Sequence, residues 1–185
     1  MNTSSLEHIA EDLISHFLLR GGFVVAKPKC DMEGADLLAL LNVADGAKFC
    51  RIQCKGRSLL KSESNKITVP VGYVTDAFIL VLFVEENRCV EESLYCFFGS
   101  DIRDWHKTTN GNYYALNFSR STYRKRIAAH LLSDRTVDEI KKKIIDVDVR
   151  GEFKRMIHCY LDAELPALQG FIRLSRMPNT PPEAD

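Results

Sequence analysis

The sequence predicts an α/β domain with a central mixed sheet of four to five strands, flanked by helices and followed by a C-terminal helical extension. Two observations carry this reading. Leu6, Ile9, Ala10, Leu13, Ile14, Phe17 and Leu18 recur at helical spacing near the N-terminus. From Phe23 to Gly99, short apolar runs are then separated by turn residues, the pattern of successive strands.

The first helix covers residues 6 to 19. Ser4 or Ser5 caps its start, Glu7 and Glu11 lie toward the positive end of its dipole, and Gly21-Gly22 stops it. Phe23 to Lys27 reads as a strand closed by Pro28, and Lys29 to Gly34 as a polar turn. Ala35 to Asn42 and Phe49 to Lys55 form a hairpin about Asp45-Gly46. Gly56 to Asn65 reads as an exposed loop, Ile67 to Val71 as a short extended piece and Gly72 to Asp76 as a helical turn. Ala77 to Glu85, the most apolar stretch, is a central strand buried on both faces. Leu94 to Gly99 is a further strand, and Ser100 caps a short helix through His106. Tyr113 to Phe118 is extended. Helices follow over Ser121–Leu132, Thr136–Ile145 and Gly151–Leu165, and the Pro-rich segment Met177–Asp185 is expected to be disordered. This gives a core over residues 1–118, a helical extension over 119–176 packed on the same domain, and a tail over 177–185.

Bulk properties exclude several classes. At 185 residues and 45% hydrophobic content, the chain has the length and composition of one folded domain. Its longest apolar run is too short for a bilayer, and the acidic N-terminal segment is unlike a secretion signal, so a cytoplasmic protein is expected. The six cysteines include no Cys-x-x-Cys pair. Cys50 and Cys54 lie four apart on a strand, roughly 13 Å at ~3.3 Å per residue, too far for one zinc, so buried thiols are expected. Net charge is zero, but residues 101–160 carry five more basic than acidic side chains, compatible with a basic face. There is no Walker loop and no Rossmann fingerprint, and the neighbours His158 and Cys159 lack the spatial pairing a nucleophile needs.

Three polar positions interrupt the apolar strands: Asp36, Gln53 and Lys55. Period-two alternation puts Arg51, Gln53 and Lys55 on one face and Cys50, Ile52 and Cys54 on the other. The hairpin brings Asp36 level with Gln53 and Lys55, and the first helix adds Glu7 or Glu11.

The order of a helix with Glu, a strand, Gly34-Ala35-Asp36, a hairpin and Gln53-Cys54-Lys55 resembles the PD-(D/E)XK nuclease superfamily. The phrases Arg51-Ile52-Gln53-Cys54-Lys55-Gly56-Arg57 and Leu18-Leu19-Arg20-Gly21-Gly22-Phe23 also resemble it, and the resemblance covers roughly residues 5 to 100. It implies a restriction-endonuclease-like core and a Mg²⁺- or Mn²⁺-dependent hydrolysis of phosphodiester bonds, most often in DNA. Asp36 would be the main metal ligand, with the Gln53 side chain, the Cys54 backbone carbonyl and Glu11 or Glu7 completing the shell. Lys55 would orient water and stabilise phosphoryl charge. Counting back from Gly21-Gly22-Phe23, Glu11 sits at the spacing usual in several subfamilies; Glu7 fits a longer helix. Gln53 stands where most members have Glu or Asp, which implies weaker metal binding. The other class of reading is a weakly active or inactive nucleic-acid-binding or assembly module on the same fold.

Arg57, Lys61, Arg124, Lys125 and Arg126 are candidate phosphate contacts, or else the wet faces of a loop and a helix. Tyr73 reads as a packed aromatic, Trp105 as core or subunit contact and His106 as a surface residue. The expected partner is nucleic acid, with a homodimer or protein contact through the C-terminal helices.

Overall fold

The computed structural model describes residues 3–29, 34–44, 46–60, 64–86, 94–148 and 152. The chain opens with helix α1 (Thr3–Arg20). Its stripe of Leu6, Ala10, Ile14 and Leu18 is buried, as the spacing predicts. The helix closes in a Schellman turn: the Phe23 amide donates to the Leu18 carbonyl (3.1 Å) and the Gly22 amide to that of Leu19 (3.0 Å). Gly22 takes the left-handed conformation this turn needs, with φ 85°.

Strands β1 (Val24–Ala26), β2 (Leu37–Val43) and β3 (Gly46–Ser58) form an antiparallel meander. Strand β4 (Ser64–Pro70) leads through a 3-10 turn at Val71–Tyr73 into β5 (Phe78–Glu85), which pairs parallel to β3. Strand β6 (Leu94–Phe98) pairs antiparallel to β5, giving a mixed five-stranded sheet in the order β1-β2-β3-β5-β6. Helix α2 (Gly99–Arg103), the short strand β7 (His106–Lys107) and β8 (Tyr113–Ser119) follow. Helices α3 (Tyr123–Ile127) and α4 (Asp134–Asp146) complete the described elements. The α/β class, the five-stranded mixed sheet and the fully buried β5 are as expected.

One face of the sheet buries Cys50, Ile52, Cys54, Ile79 and Val81 against α1 and α4, including Val137, Ile140 and Ile144. The opposite face buries Phe78, Leu80, Leu82 and Phe97 against Ile67 and Val69 of β4, Tyr114 and Phe118 of β8, Ile102 and Ile127. Beyond the expected flanking helices, a second sheet in the order β4-β8-β7 covers much of this face. The crossover from β3 to β5 thus carries a strand and one 3-10 turn. Two stretches too short and polar to signal strongly by themselves are stabilised as strands by pairing with each other, Ser64 opposite Ser119 through Pro70 opposite Tyr113.

Three local expectations are corrected. Gly56 to Ser58 belong to β3, because β5 runs beside them as far as the Ser58–Glu85 pair. Ser64 and Asn65, at the other end of the expected loop, belong to β4. Phe98, not Ser100, precedes α2, and its amide is capped by Asp101 Oδ2 at 2.8 Å. The helix expected over Ser121–Leu132 is α3 plus a 3-10 turn at Ala128–His130. There the chain leaves helical geometry to meet β6, with Leu131 bridging Tyr95 and the Leu132 amide donating to the Leu94 carbonyl at 2.8 Å. The expected helix over Gly151–Leu165 and the tail lie outside the described residues, apart from Glu152. No described helix is long and apolar enough to cross a membrane.

Candidate active site

Strand β3 outruns β2, and that mismatch makes the site. The β2–β3 ladder begins at the pair Leu37–Ile52, while β3 continues to Ser58 against β5. Among the described residues, the β2-side edge of β3 from Gln53 onward has no partner strand. Asp36, one residue before the ladder, is tied into this notch by two bonds. Its amide donates to the Ile52 carbonyl (2.9 Å), and its Oδ2 accepts the Cys54 amide (2.6 Å). A residue's N–H and C=O point the same way on a strand, so the Cys54 carbonyl also faces the notch.

Gln53 is 7% exposed, and its Oε1 is buried without a hydrogen-bond partner. A buried acceptor left unpaired costs roughly 1–3 kcal/mol, so the site holds a neutral oxygen ready for a donor or a cation. The first residue of Gly34-Ala35-Asp36 has φ 72°. A Cβ there would lie 2.5 Å from the Tyr73 ring and 3.0 Å from Gln53 Nε2. Glycine is thus required both for the turn and for the close approach of the Gln53 amide. Tyr73 is a packed aromatic, as its sequence context suggested.

Helix α1 closes the other side. A Cβ on Gly56 would lie 2.5 Å from Leu6 Cβ, 2.6 Å from the Leu6 carbonyl carbon and 2.9 Å from the Glu7 amide nitrogen. The helix backbone rests directly on β3. This contact brings Glu7 Oε1 to 3.8 Å from both Lys55 Nζ and Arg57 Nη1. Gly56→Ala is expected to push α1 outward and destabilise the fold by about 1–3 kcal/mol, read from the urea midpoint.

Glu11 lies one turn further along α1, and its carboxylate is ion-paired to Lys27. Lys27 follows β1, whose Ala26 pairs with Leu38, so antiparallel pairing brings it level with the start of β2 beside Asp36. The Lys27 ammonium is held above its ordinary pKa by the hydrogen bond to Glu11, against some desolvation, with the charges of Glu11, Asp12 and Asp36 assisting. The structure therefore places Glu7 by Lys55 and Glu11 by Lys27 on the Asp36 side. Sequence reasoning did not single out Lys27; the available signal was a lysine ending a strand that must pair beside Asp36.

Arg51 was also passed over. It shares the alternation of Gln53 and Lys55, yet it is fully buried. Its Nε donates to Glu152 Oε2 (2.8 Å), and its Nη2 donates to the Tyr73 carbonyl (3.0 Å) and Thr75 Oγ1 (3.1 Å). The guanidinium stacks over Phe78 at 5.5 Å. A charged residue within an otherwise apolar strand was the visible signal.

Cys54 shows the field of the site. Burial raises its thiol well above the ordinary value; Asp36 and Glu11 add to the rise, and Lys55 and Lys27 oppose it. Burial also raises Cys50 to about 12. Raised thiol pKa values stabilise the fold fully below the unfolded value near 9 and lose that contribution as pH climbs from 9 toward 12. Cys50, Cys54 and Cys96 are free and buried. They are expected to resist iodoacetamide in the native protein and to react on unfolding, with the denaturation midpoint falling above pH 9.

Among the described residues, no three His, Cys, Asp or Glu side chains stand together as a metal cage. A divalent ion would draw instead on Asp36, neutral oxygens and water. The orphaned Gln53 oxygen and the notch-facing Cys54 carbonyl fit that mixed, hard-oxygen donor set. Of the candidate phosphate contacts, Arg57 lies by the notch, while Arg124, Lys125 and Arg126 lie on α3. Arg124 is held by Glu86 at 2.8 Å. Lys61 lies outside the described residues. Trp105 packs edge-on against Phe97 at 5.3 Å, and His106 is exposed.

Neither the family comparison nor the comparison with curated proteins finds a match. Among solved structures, the chain is similar to Hjc, a Holliday junction resolvase of Archaeoglobus fulgidus. That likeness has 11% identity over 71% of this chain and 95% of that one, with a TM-score of 0.43. It is also similar to the bacterial homing endonuclease I-Ssp6803I, with 17% identity over 75% of this chain and 93% of that one, at a TM-score of 0.47.

Proposed function

We propose that this protein is a divalent-metal-dependent nuclease that hydrolyses phosphodiester bonds in DNA. The observation that carries this reading is the notch itself. There Asp36 Oδ2 accepts the Cys54 amide where β3 runs past β2, and the unpaired Gln53 oxygen and Lys55 belong to the flanking positions of β3. Mg²⁺ or Mn²⁺ bound there would supply Lewis-acid polarisation of the phosphoryl oxygen and acidify a water. Asp36, Gln53 Oε1, the Cys54 carbonyl and Glu11 or Glu7 would hold it.

The roles of the chain's own groups follow from their placement. The Cys54 amide fixes the Asp36 carboxylate, so it needs little reorganisation to serve as a ligand. Glu7 holds the Lys55 ammonium at the open edge, where it can orient a water and meet developing phosphoryl charge. Arg57, two residues on, supplies a second cation for the substrate backbone. Cleavage of two strands would further suit a dimer, and the C-terminal helices are the proposed contact.

The test is cleavage with Mg²⁺ and then Mn²⁺ on linear and supercoiled duplex, single strands, branched junctions and RNA, comparing wild type with Asp36→Ala. Cutting that disappears with chelator and in the variant supports the proposal. A wild type that cuts no better than the variant leaves the non-catalytic binding module, for which the neutral Gln53 is the supporting feature.

Gln53→Glu separates the roles of this position. A carboxylate near Asp36 is expected to lower stability in chelator through like-charge repulsion and burial, and to raise Mn²⁺ affinity. Calorimetric titration should show tighter binding by about tenfold, equivalent to about 1.4 kcal/mol. Added metal should raise the melting temperature of this variant more than that of wild type.

A further inference from the structure

A second polar groove lies on the sheet formed by β4 and β8. Lys66 and Asn117 face each other across the β4–β8 ladder, and Asn65 faces Phe118. Ser119 and Thr122 from the following turn and Arg126 of α3 complete its described lining. None of these residues is acidic, in a chain with equal numbers of acidic and basic side chains. Arg126 spends one N–H on the Asn117 carbonyl (2.7 Å), and a guanidinium has five to offer.

The groove is connected to the notch by one side chain. Arg57 Nε donates to the Lys66 carbonyl (3.3 Å), while its Nη1 stands 3.8 Å from Glu7 Oε1, the same oxygen that faces Lys55. Arg57 thus stands between Lys55 at the notch and the strand that carries Lys66.

We propose that this groove binds the phosphate backbone of the DNA strand beyond the cleaved bond, with Lys66 and Arg126 as cationic contacts. The inference rests on the nuclease reading and adds where the substrate lies. Two cations with no carboxylate beside them suit phosphate oxygens, which are acceptors only, and place no demand on base sequence.

The experiment measures binding of a fluorescein-labelled 30-base-pair DNA duplex by anisotropy, in Ca²⁺ and across a salt series. It compares wild type, Lys66→Ala/Arg126→Ala, and Arg135→Ala/Lys142→Ala. The last pair removes the same charge from exposed positions on α4, on the opposite face. The groove variant should bind about tenfold more weakly than wild type near 100 mM salt, with the log–log salt slope shallower by about two. The α4 variant should stay within about twofold. Arg126→Lys, which keeps the charge, should retain the wild-type slope, and circular dichroism should show the three variants folded. If wild type binds and the groove and α4 variants behave alike, the groove is wrong and the notch reading stands. If wild type binds no DNA at all, the groove and the DNA-nuclease reading fall together.

Discussion

Lys55→Ala is expected to lower the turnover rate for DNA cleavage by roughly 10²–10³-fold, the usual loss when one preorganised charge-stabilising donor is removed. The ammonium stands at the open edge of β3, and its side chain is 24% exposed, so its removal leaves no cavity in either core. Its partner Glu7 keeps Arg57 at 3.8 Å and is not left unpaired. Stability should therefore move by less than about 0.5 kcal/mol, the range for substitutions away from packed features. Metal affinity should change little, because an ammonium is no ligand. This separates Lys55 from Asp36, whose loss should weaken metal binding and cleavage together. Lys55→Arg is not a conservative rescue: a planar fork cannot place one point charge where the ammonium stood. Single-turnover rates at saturating metal, paired with calorimetric Mn²⁺ titration, check both halves. Equal loss of metal affinity in Lys55→Ala would overturn the assigned role.

Glu152→Ala is expected to be the most destabilising single change, at about 3–5 kcal/mol, because it strands a charge inside the protein. Arg51 is fully buried, and its Nε is ion-paired to Glu152 Oε2 at 2.8 Å. Its contacts to the Tyr73 carbonyl and the Thr75 hydroxyl are to neutral acceptors, which do not replace that carboxylate. For a chain of this size the loss corresponds to a fall in melting temperature on the order of 10 °C. Glu152→Gln, which retains an acceptor of the same shape, should cost less. Replacing both partners with apolar residues, as in Arg51→Met/Glu152→Leu, should recover much of the stability. Chemical denaturation of the four proteins tests this; a double variant as unstable as Glu152→Ala would show that packing, not the stranded charge, set the cost. Because Arg51 also holds the Tyr73 backbone, and the Tyr73 ring packs against Gly34 beside Gln53, the same change should loosen the notch.

Local pattern alone determined a good deal of this protein. The stripe on α1, the glycine stop, the hairpin and the buried central strand each depend on residues within a few positions of one another. Alternation along β3 likewise separated Cys50, Ile52 and Cys54 from Arg51, Gln53 and Lys55, and Gly34-Ala35-Asp36 with Gln53-Cys54-Lys55 pointed to one end of a hairpin.

What only the tertiary structure decided depends on where strands stop relative to their neighbours and on pairs distant in sequence. That β3 outruns β2, leaving the edge on which the site is built, is a difference between two ladders, and no periodicity encodes it. The polar residues Gly56 to Ser58 are strand because β5 stands beside them. Strands β4 and β8, more than forty residues apart, stabilise each other in a second sheet that covers one face of the first. The turn after α3 abandons helix to bond β6. Arg51 and Glu152 lie 101 positions apart, and only the fold makes a charge in the middle of the core tolerable by bringing them within 2.8 Å. Which glutamate of α1 meets Lys55 was likewise undecidable from the helical wheel. It was settled by Gly56, whose missing side chain lets the Leu6–Glu7 backbone down onto the strand.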